Sequence, residues 1–566
     1  MISRCTASRS LPTAAVLLAL LVLSAISCTR PSEPPAAATG PTADASAPAE
    51  ERGPDRGNTL ILGIDQEPDK LNSALNAMVY GTFINNSLYG YFVKYDEKMN
   101  LIPDMLTEVP TLENGGISAD GMRYTYHLRP GVTWHDGAPF TAADVLFSAD
   151  AIMDSRHEVE SRVGYDHIKT KTAPDPLTVV FDLTEPYAPF VTSIFFSEGL
   201  MPAHLLAGAV GSGFGQAPFH RAPVGLGPYK FKEWITGQSV TIVANDAYWR
   251  GRPKIDEITF RFIPDTNSLL VALQAGEIDG YDNAGTDQRA ELKKVGWVNQ
   301  YVTPQLMWEH VDFNTDDPVL KDVRVRQAVQ LAIDREEISR EIYEGLWPPA
   351  YGDVAETLSW FNPKVKEIVR FDREAAAALL EEAGWMPGDD GIRVKGGKRL
   401  KLAISTTAGR VQRERTEEVL QQQLAAAGIE LTIANHNATA FFAPVEQGGV
   451  LKKGKFQLGM YAWITSPDPD RKSLYHSREV PPQGQNNPRL KSKELDRLLD
   501  DGLRTIDPAK RKVIYDQLQV QLATEVPMTP IVWRADIDPM SKRLKNFKPN
   551  PTQNGDTWNI WEWELR

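Results

Sequence analysis

Between residues 463 and 476 the chain reads WITSPDPDRKSLYH, with Asp468 and Asp470 set between Trp463 and Tyr475. Carboxylates held beside aromatic rings can form a catalytic pair, a calcium loop, the wall of a ligand pocket, or a turn. The DPDRKS stretch starts like a calcium loop, but Lys472 stands where a third oxygen ligand belongs and no Gly follows. A glycosidase needs two carboxylates at a fixed separation, and nothing in the sequence singles out such a pair. GVLKKGKF (449–456) imitates a phosphate loop through Gly449, Gly454 and Lys455, yet Phe456 replaces the hydroxyl that would hold Mg²⁺. GSGFG (211–215) lacks the strand-then-helix setting of a dinucleotide site. The nine His never take a metal-helix spacing, and no GxSxG elbow occurs. No catalytic residue, metal or cofactor is therefore expected.

The elements that must position these residues are legible from their caps. Asp265 opens a helix through Gln274, with Gly276 past its end. Asp334 with Glu337 makes a capping-box pattern closed by Gly345. Asp372 begins REAAAALLEEAG, ended by Gly384, and the helix in RVQRERTEEVLQQQLAAAG stops at Gly428 before the strand IELTIA. Asp507-Pro508 starts another helix, with Pro in the first turn where its missing N–H costs nothing. NTLILGID is expected as a buried strand. WNIWEWEL alternates, so a half-buried strand is expected with Trp561, Trp563 and Leu565 on one face. The pattern is α/β (α+β), with no internal repeat.

At 566 residues the chain has length for roughly three or four domains. Arg4 and Arg9 precede the apolar run LPTAAVLLALLVLSAI, which suits a signal peptide over residues 1–27. The run ends at Ser27-Cys28, in the pattern of a bacterial lipobox that would diacylate Cys28 and tether the protein to a membrane. Residues 28–57 are rich in Pro and Ala and read as a flexible linker. Cleavage after residue 27 would leave no Cys beyond Cys28, so disulfides are not expected. It would also move the formal charge from −13 to −15, which argues against a nucleic-acid partner.

Several blocks, in order, resemble the bacterial extracellular solute-binding proteins of family 5, the dipeptide/oligopeptide-binding type of ABC importers. They are LRPGVTWHDGAPFTAADVLFSADAI (128–152), PVGLGPYKFKEW (223–234), NDAYWRGRPKIDEITFRFIPD (245–265), LQAGEIDGYD (273–282), DVRVRQAVQLAIDREEI (322–338), LLEEAGW (379–385) and SPDPD with GQNNPRLKSKELDRLL (466–499). Each also has a local explanation. Asp136-Gly137 supplies a turn, Thr141 caps a helix with Asp144 at its third position, and Val325, Ala328, Val329 and Ala332 form one helical stripe.

The resemblance implies a two-lobed, type II periplasmic-binding-protein-like fold with a domain inserted in the first lobe. Lobe 1 would use 58–100 with 219–306 and 530–566, the insert 101–218, and lobe 2 residues 307–529. It implies an extracytoplasmic monomer that closes by a hinge on a peptide, or on an oligosaccharide as runner-up, and meets a permease and an ATPase. An exported hydrolase is the rival from another class. By the same resemblance, YAWIT (Tyr461, Ala462, Trp463, Ile464, Thr465) offers backbone groups from lobe 2, and the EPDKLNSA loop, with Leu71 and Asn72, offers contacts from lobe 1. Trp463 and Trp308 are the aromatic wall, or else core. Relatives specific for free peptides place an Asp where Thr465 stands, so Asp468 or Asp470 has taken over the ammonium, or the ligand lacks one there. Leu226 stands where relatives often carry Thr, removing a polar contact near the cleft.

Overall fold

The structure, a computed structural model, describes residues 53–75, 79–211, 213–552 and 555–566. The expected signal peptide, Cys28 and most of the linker lie outside the described residues. Among the described residues no helix is long and apolar enough to cross a membrane.

Ten strands make one sheet, in the spatial order Glu430–Ile433, Lys401–Ser405, Leu458–Ile464, Val298–Phe313, Met528–Ser541, Gly280–Tyr281, Thr59–Ile64, Glu257–Phe262, Ser239–Ala244 and Tyr229–Ile235. The two central strands, of 16 and 14 residues, are antiparallel partners and far longer than the usual five or six. At about 3.4 Å per residue the longer spans about 50 Å, enough to serve two cores. One core gathers Leu60, Leu62, Ile242, Phe260, Met540 and Trp563; the other gathers Val311, Phe313, Val329, Leu402, Leu458 and Ile531. A third core runs from Ala74 to Leu226 and includes Phe92, Val93 and Tyr95, so it draws on chain either side of residue 100.

Charged residues in the DVRVRQAVQLAIDREEI block are internal fasteners. The buried Arg326 guanidinium donates to the carbonyls of Leu320 (2.7 Å) and Val526 (2.9 Å). Buried Arg335 donates to the Pro530 carbonyl (2.7 Å) and to Thr529 Oγ1 (2.6 Å). Both tie the helices to the start of the long strand Met528–Ser541, satisfying carbonyls that would otherwise be buried alone. Val325, Ala328, Val329 and Ala332 are buried together, as the stripe requires.

The WHDG block is scaffold as well. The Gly225 N–H donates to His135 Nδ1 (3.0 Å), and His135 Nε2 donates to the Gly227 carbonyl (3.0 Å). A Cβ at either glycine would collide with the Leu88 backbone, and one at Gly227 with the Ser87 carbonyl as well, which explains the spacing in PVGLGPY. Leu226 is buried in the third core, so it packs rather than facing a cleft.

Two local expectations need correction. Residues Asp556–Glu562 form a 3₁₀ segment, and only Glu564–Leu565 is strand. Helical spacing wins there because Trp563 Nε1 donates to Asn559 Oδ1 four residues back (3.0 Å), while Trp558 Nε1 anchors the segment to the Lys548 carbonyl of the preceding loop (2.8 Å). At Asp334 the N-cap forms, but Gln423 takes the place of the reciprocal Glu337 bond. Its Oε1 accepts from the Asp334 N–H (3.1 Å), and its Nε2 donates to Glu337 (2.7 Å).

Candidate ligand cleft

The strand Leu458–Ile464 lies antiparallel to Val298–Phe313 along its whole length. Its other edge is covered by Lys401–Ser405 only at Leu458 and Gly459. Thr406 Oγ1 donates to the Met460 carbonyl (2.7 Å), so even-numbered residues point their backbone groups to that edge. Thr465 points the other way, its N–H donating to the Leu306 carbonyl (2.7 Å). The period of two then leaves the N–H and C=O of Ala462 and Ile464 facing an edge that no described strand covers. Ala462 is half-buried, and the Ile464 side chain is 54% exposed.

Aromatic residues fill one face of these strands. Trp308 sits opposite both Trp463 and Trp533 in the sheet register. It packs against His310 (4.3 Å between centroids), which packs on Tyr461 (4.4 Å). The Tyr461 hydroxyl donates to Asp312 Oδ2 (2.6 Å) and accepts from Asn487 Nδ2 (2.9 Å). Trp308 is fully buried and belongs to the core, whereas Trp463 is half-buried and can present an edge. Of the two wall candidates only Trp463 reaches the surface.

The lobe-1 candidates are interior too. Leu71 is fully buried; its N–H donates to the His220 carbonyl (2.7 Å), and its carbonyl accepts from the Tyr89 hydroxyl (2.7 Å). Asn72 Oδ1 accepts the Ala74 N–H (3.0 Å), and its amide nitrogen meets His220 Nδ1 (3.2 Å). The Leu71 backbone and the Asn72 side chain thus both hold the loop in place.

Asp468, expected among the ligand groups, is held by an ion pair within the fold. Arg511 grips it with Nη1 to Oδ2 (2.6 Å) and Nη2 to Oδ1 (2.8 Å), and the two side chains are 6% and 14% exposed. Burial alone would raise its pKa, but the guanidinium holds the carboxyl below the ordinary range. Asp470 accepts the Lys472 N–H (2.9 Å) and so fixes the following turn. Thr465 is buried, and its Oγ1 has no hydrogen-bond partner.

Two charged groups were not anticipated. Glu309, in QLMWEH, is buried under two arginines, accepting from Arg413 Nε (3.0 Å) and Arg534 Nε (2.9 Å). Burial opposes its ionisation, but Arg534 and Arg413 outweigh that and hold the pKa low. The trio carries one net positive charge, and Arg534 remains 30% exposed. Farther along the same face of Met528–Ser541 come Asp536 and Asp538, which meet Asp282 and Asp556. The signal in the sequence was VWRADID, charges at every second position within an otherwise apolar strand.

Residues 100–484 match the bacterial extracellular solute-binding proteins, family 5 Middle. The oligopeptide-binding protein AppA of Bacillus subtilis (strain 168) is 30% identical over 517 residues, covering 90% of this chain and 92% of that protein. The structure of AppA from Bacillus subtilis in complex with a nonapeptide superposes with a TM-score of 0.69 at 28% identity, over 90% of this chain and 99% of that one. NikZ from Campylobacter jejuni, in complex with Ni(L-His), gives a TM-score of 0.73 at 26% identity, over 90% and 99% of the two chains. The fold is the mixed α/β arrangement of type II periplasmic binding proteins.

Proposed function

The chain belongs to the bacterial extracellular solute-binding proteins of family 5, and on that premise we propose that it binds oligopeptides in an interlobe cleft and delivers them to the permease and ATPase of an ABC importer. The observation that carries this reading is the uncovered strand edge at Ala462 and Ile464, beside half-buried Trp463. An extended peptide can add there as a further strand, pairing through its own backbone whatever its side chains are. The half holding Val311, Phe313 and Leu458 would be lobe 2 (307–529), and the half holding Leu60 and Trp563 would be lobe 1 (58–100, 219–306 and 530–566). Residues 101–218 would be the insert. Contacts from both lobes to one ligand would favour the closed form. Cys28, acylated after loss of residues 1–27, would tether the monomer outside the cytoplasm by the linker.

The test is calorimetry of the ligand-stripped protein against pools of peptides and of cello- and xylo-oligosaccharides, with mass spectrometry of the recovered ligand. Peptide binding is expected, with the ligand returned unchanged at one per chain. Tight binding of a sugar oligomer with no response to peptides would replace the ligand class, and recovery of cleaved ligand would move the protein to the hydrolases.

A further inference from the structure

Two parallel neighbours, Thr59–Ile64 and Gly280–Tyr281, each deliver an aspartate just past the carboxyl end, Asp65 and Asp282. Crevices at the carboxyl ends of parallel strands are where open α/β sheets place ligands. Asp536 and Asp538 arrive from the long strand just past its crossing between the halves, and Asp556 from the C-terminal 3₁₀ segment. One carboxylate oxygen each from Asp282, Asp538 and Asp556 lies within 4.8 Å of the other two. Asp538 and Asp556 are buried, and Asp282 is half-buried at the mouth of the group.

Part of the group is accounted for. Asp538 Oδ1 accepts the Asn283 N–H (3.0 Å), and Asp556 Oδ1 accepts the Asn550 N–H (2.7 Å). Asp538 Oδ2 is not. It is buried, receives no N–H, and the Asp538 carboxyl faces those of Asp282 and Asp556, with which it shares any proton the group holds. Among the described residues no Lys, Arg or His forms an ion pair with Asp282, Asp538 or Asp556. The nearest guanidinium to act on the neighbouring Asp536, Arg534, is held by Glu309. Burial and the other carboxylates push Asp282 and Asp538 well above the carboxylate range, and burial raises Asp556 to about 6. Three inward carboxyls without a counter-charge must either take up protons or hold a cation among them, and a cation would let all three ionise.

We propose that Asp282, Asp538 and Asp556 form a cation-binding site in the lobe-1 wall of the cleft. Oxygens no more than 4.8 Å apart put the centre of an equilateral arrangement at most about 2.8 Å from each, a hydrogen-bonding distance for an ammonium nitrogen. Slightly shorter edges bring the oxygens to the about 2.3–2.6 Å of a calcium ion. A compact cation fits either way, and it has two sources, a free divalent metal or the ammonium group of the carried solute. The second source rests on the peptide reading. It also supplies an acceptor that the second lip does not, since Asp468 is taken by Arg511 and residue 465 is an uncharged Thr.

The test uses the purified chain, stripped of ligand and metal, beside Asp282→Asn. Calorimetric titration with CaCl₂ and MnCl₂ alone reads the metal source. A pentapeptide free of Lys and Arg, compared with its N-acetylated twin, reads the ammonium source. Metal binding weakened at least tenfold by D282N supports the site with a metal. A tenfold preference for the free amine that D282N abolishes, with the acetylated twin binding unchanged, supports it with a solute ammonium. At alkaline pH, where the group ionises, the apo variant should melt at a higher temperature than the apo parent, because a repelling carboxylate has gone; a merely structural Asp would give the opposite shift. Equal binding of both peptides, with no D282N-sensitive metal binding, overturns the site. If no peptide binds, the peptide reading fails, and the metal titration alone decides this one, with no D282N-sensitive metal binding again overturning it.

Discussion

Replacing Asp468 by Asn separates its two roles, ligand group and structural anion. The amide keeps the shape and removes the charge, leaving Arg511 without its counter-ion. Arg511 cannot swing out to water without further loss. Its Nε donates to the Gly502 carbonyl (2.8 Å), and its guanidinium lies 5.4 Å from the Trp360 ring and 5.1 Å from the Tyr515 ring. Removing one partner of a buried pair costs about 3–5 kcal/mol, and the 14% exposure of Asp468 argues for the lower end. A loss of about 3 kcal/mol lowers the folded-to-unfolded ratio by about 150-fold. Urea unfolding followed by tryptophan fluorescence measures it, and calorimetry with the copurifying ligand measures affinity. The double variant with Arg511→Met should lose less than the sum of the singles, because the stranded charge is gone. The Asp468 carboxyl is held below its unfolded value near 3.8, so its stabilisation is present above that pH and is lost as pH falls below it. The gap between parent and D468N should therefore close below about pH 4. A D468N protein as stable as the parent but tenfold weaker in binding would refute the structural assignment and restore Asp468 to the cleft.

Other substitutions test neighbouring parts of the argument. Trp308→Ala should cost about 3–5 kcal/mol of stability, whereas Trp463→Ala should leave unfolding nearly unchanged and weaken ligand binding about tenfold by calorimetry. His135 is held to about 4, chiefly by burial, so its neutral form stabilises the fold fully above pH 6.5 and progressively less as pH falls towards 4. The effect is about 3 kcal/mol, and His135→Gln should flatten the unfolding free energy across that window. Gly225→Ala should destabilise by about 3 kcal/mol in the same assay, since its Cβ meets the Leu88 carbonyl rather than a movable side chain.

What the sequence showed well was local. Asp265, Asp372 and Asp507 cap their helices because a cap needs only its own next three residues. What it hid was assembled from distant segments. Asp282, Asp538 and Asp556 stand 256 and 18 residues apart in the chain, and no spacing rule joins them. Arg326 and Arg335 look solvent-facing in a list of charges, yet both are buried because carbonyls from residues 525–530 surround them. The C-terminal Trp run misled for another reason. Alternating apolar residues suit a strand, but the Trp563 indole N–H found its acceptor four residues back at Asn559, and that of Trp558 found one in the preceding loop at Lys548. Leu71 and Asn72 sit in the loop that family likeness points to, but the packing that shapes the loop consumes their own hydrogen bonds.

On the proposed reading, the crossing between the two halves limits how closure can work. The ladder between Val298–Phe313 and Met528–Ser541 is continuous up to Pro304 and resumes at Trp308, so Gln305, Leu306 and Met307 bulge out of register. Bulges bend and twist strands, and this one, with a second register shift between Glu309 and His310, interrupts the ladder. Leu306 makes use of it. Its N–H donates to the Pro551 carbonyl (3.2 Å) and its carbonyl accepts from Thr465, linking a C-terminal loop to the lip beside Trp463. Away from the crossing, the Ala188 N–H donates to the Leu503 carbonyl (2.7 Å), and Arg504 lies 3.4 Å from Glu185 at the surface. Exposed ion pairs are worth about 0–1 kcal/mol and a single hydrogen bond about 1 kcal/mol, so such contacts add only a modest bias to the closed form. A swing from nearly all open to nearly all closed needs about 5.5 kcal/mol of differential binding. On the proposed reading the ligand must supply most of that by touching both halves. Strand addition at Ala462 and Ile464 engages one half, and a cation held by Asp282, Asp538 and Asp556 engages the other.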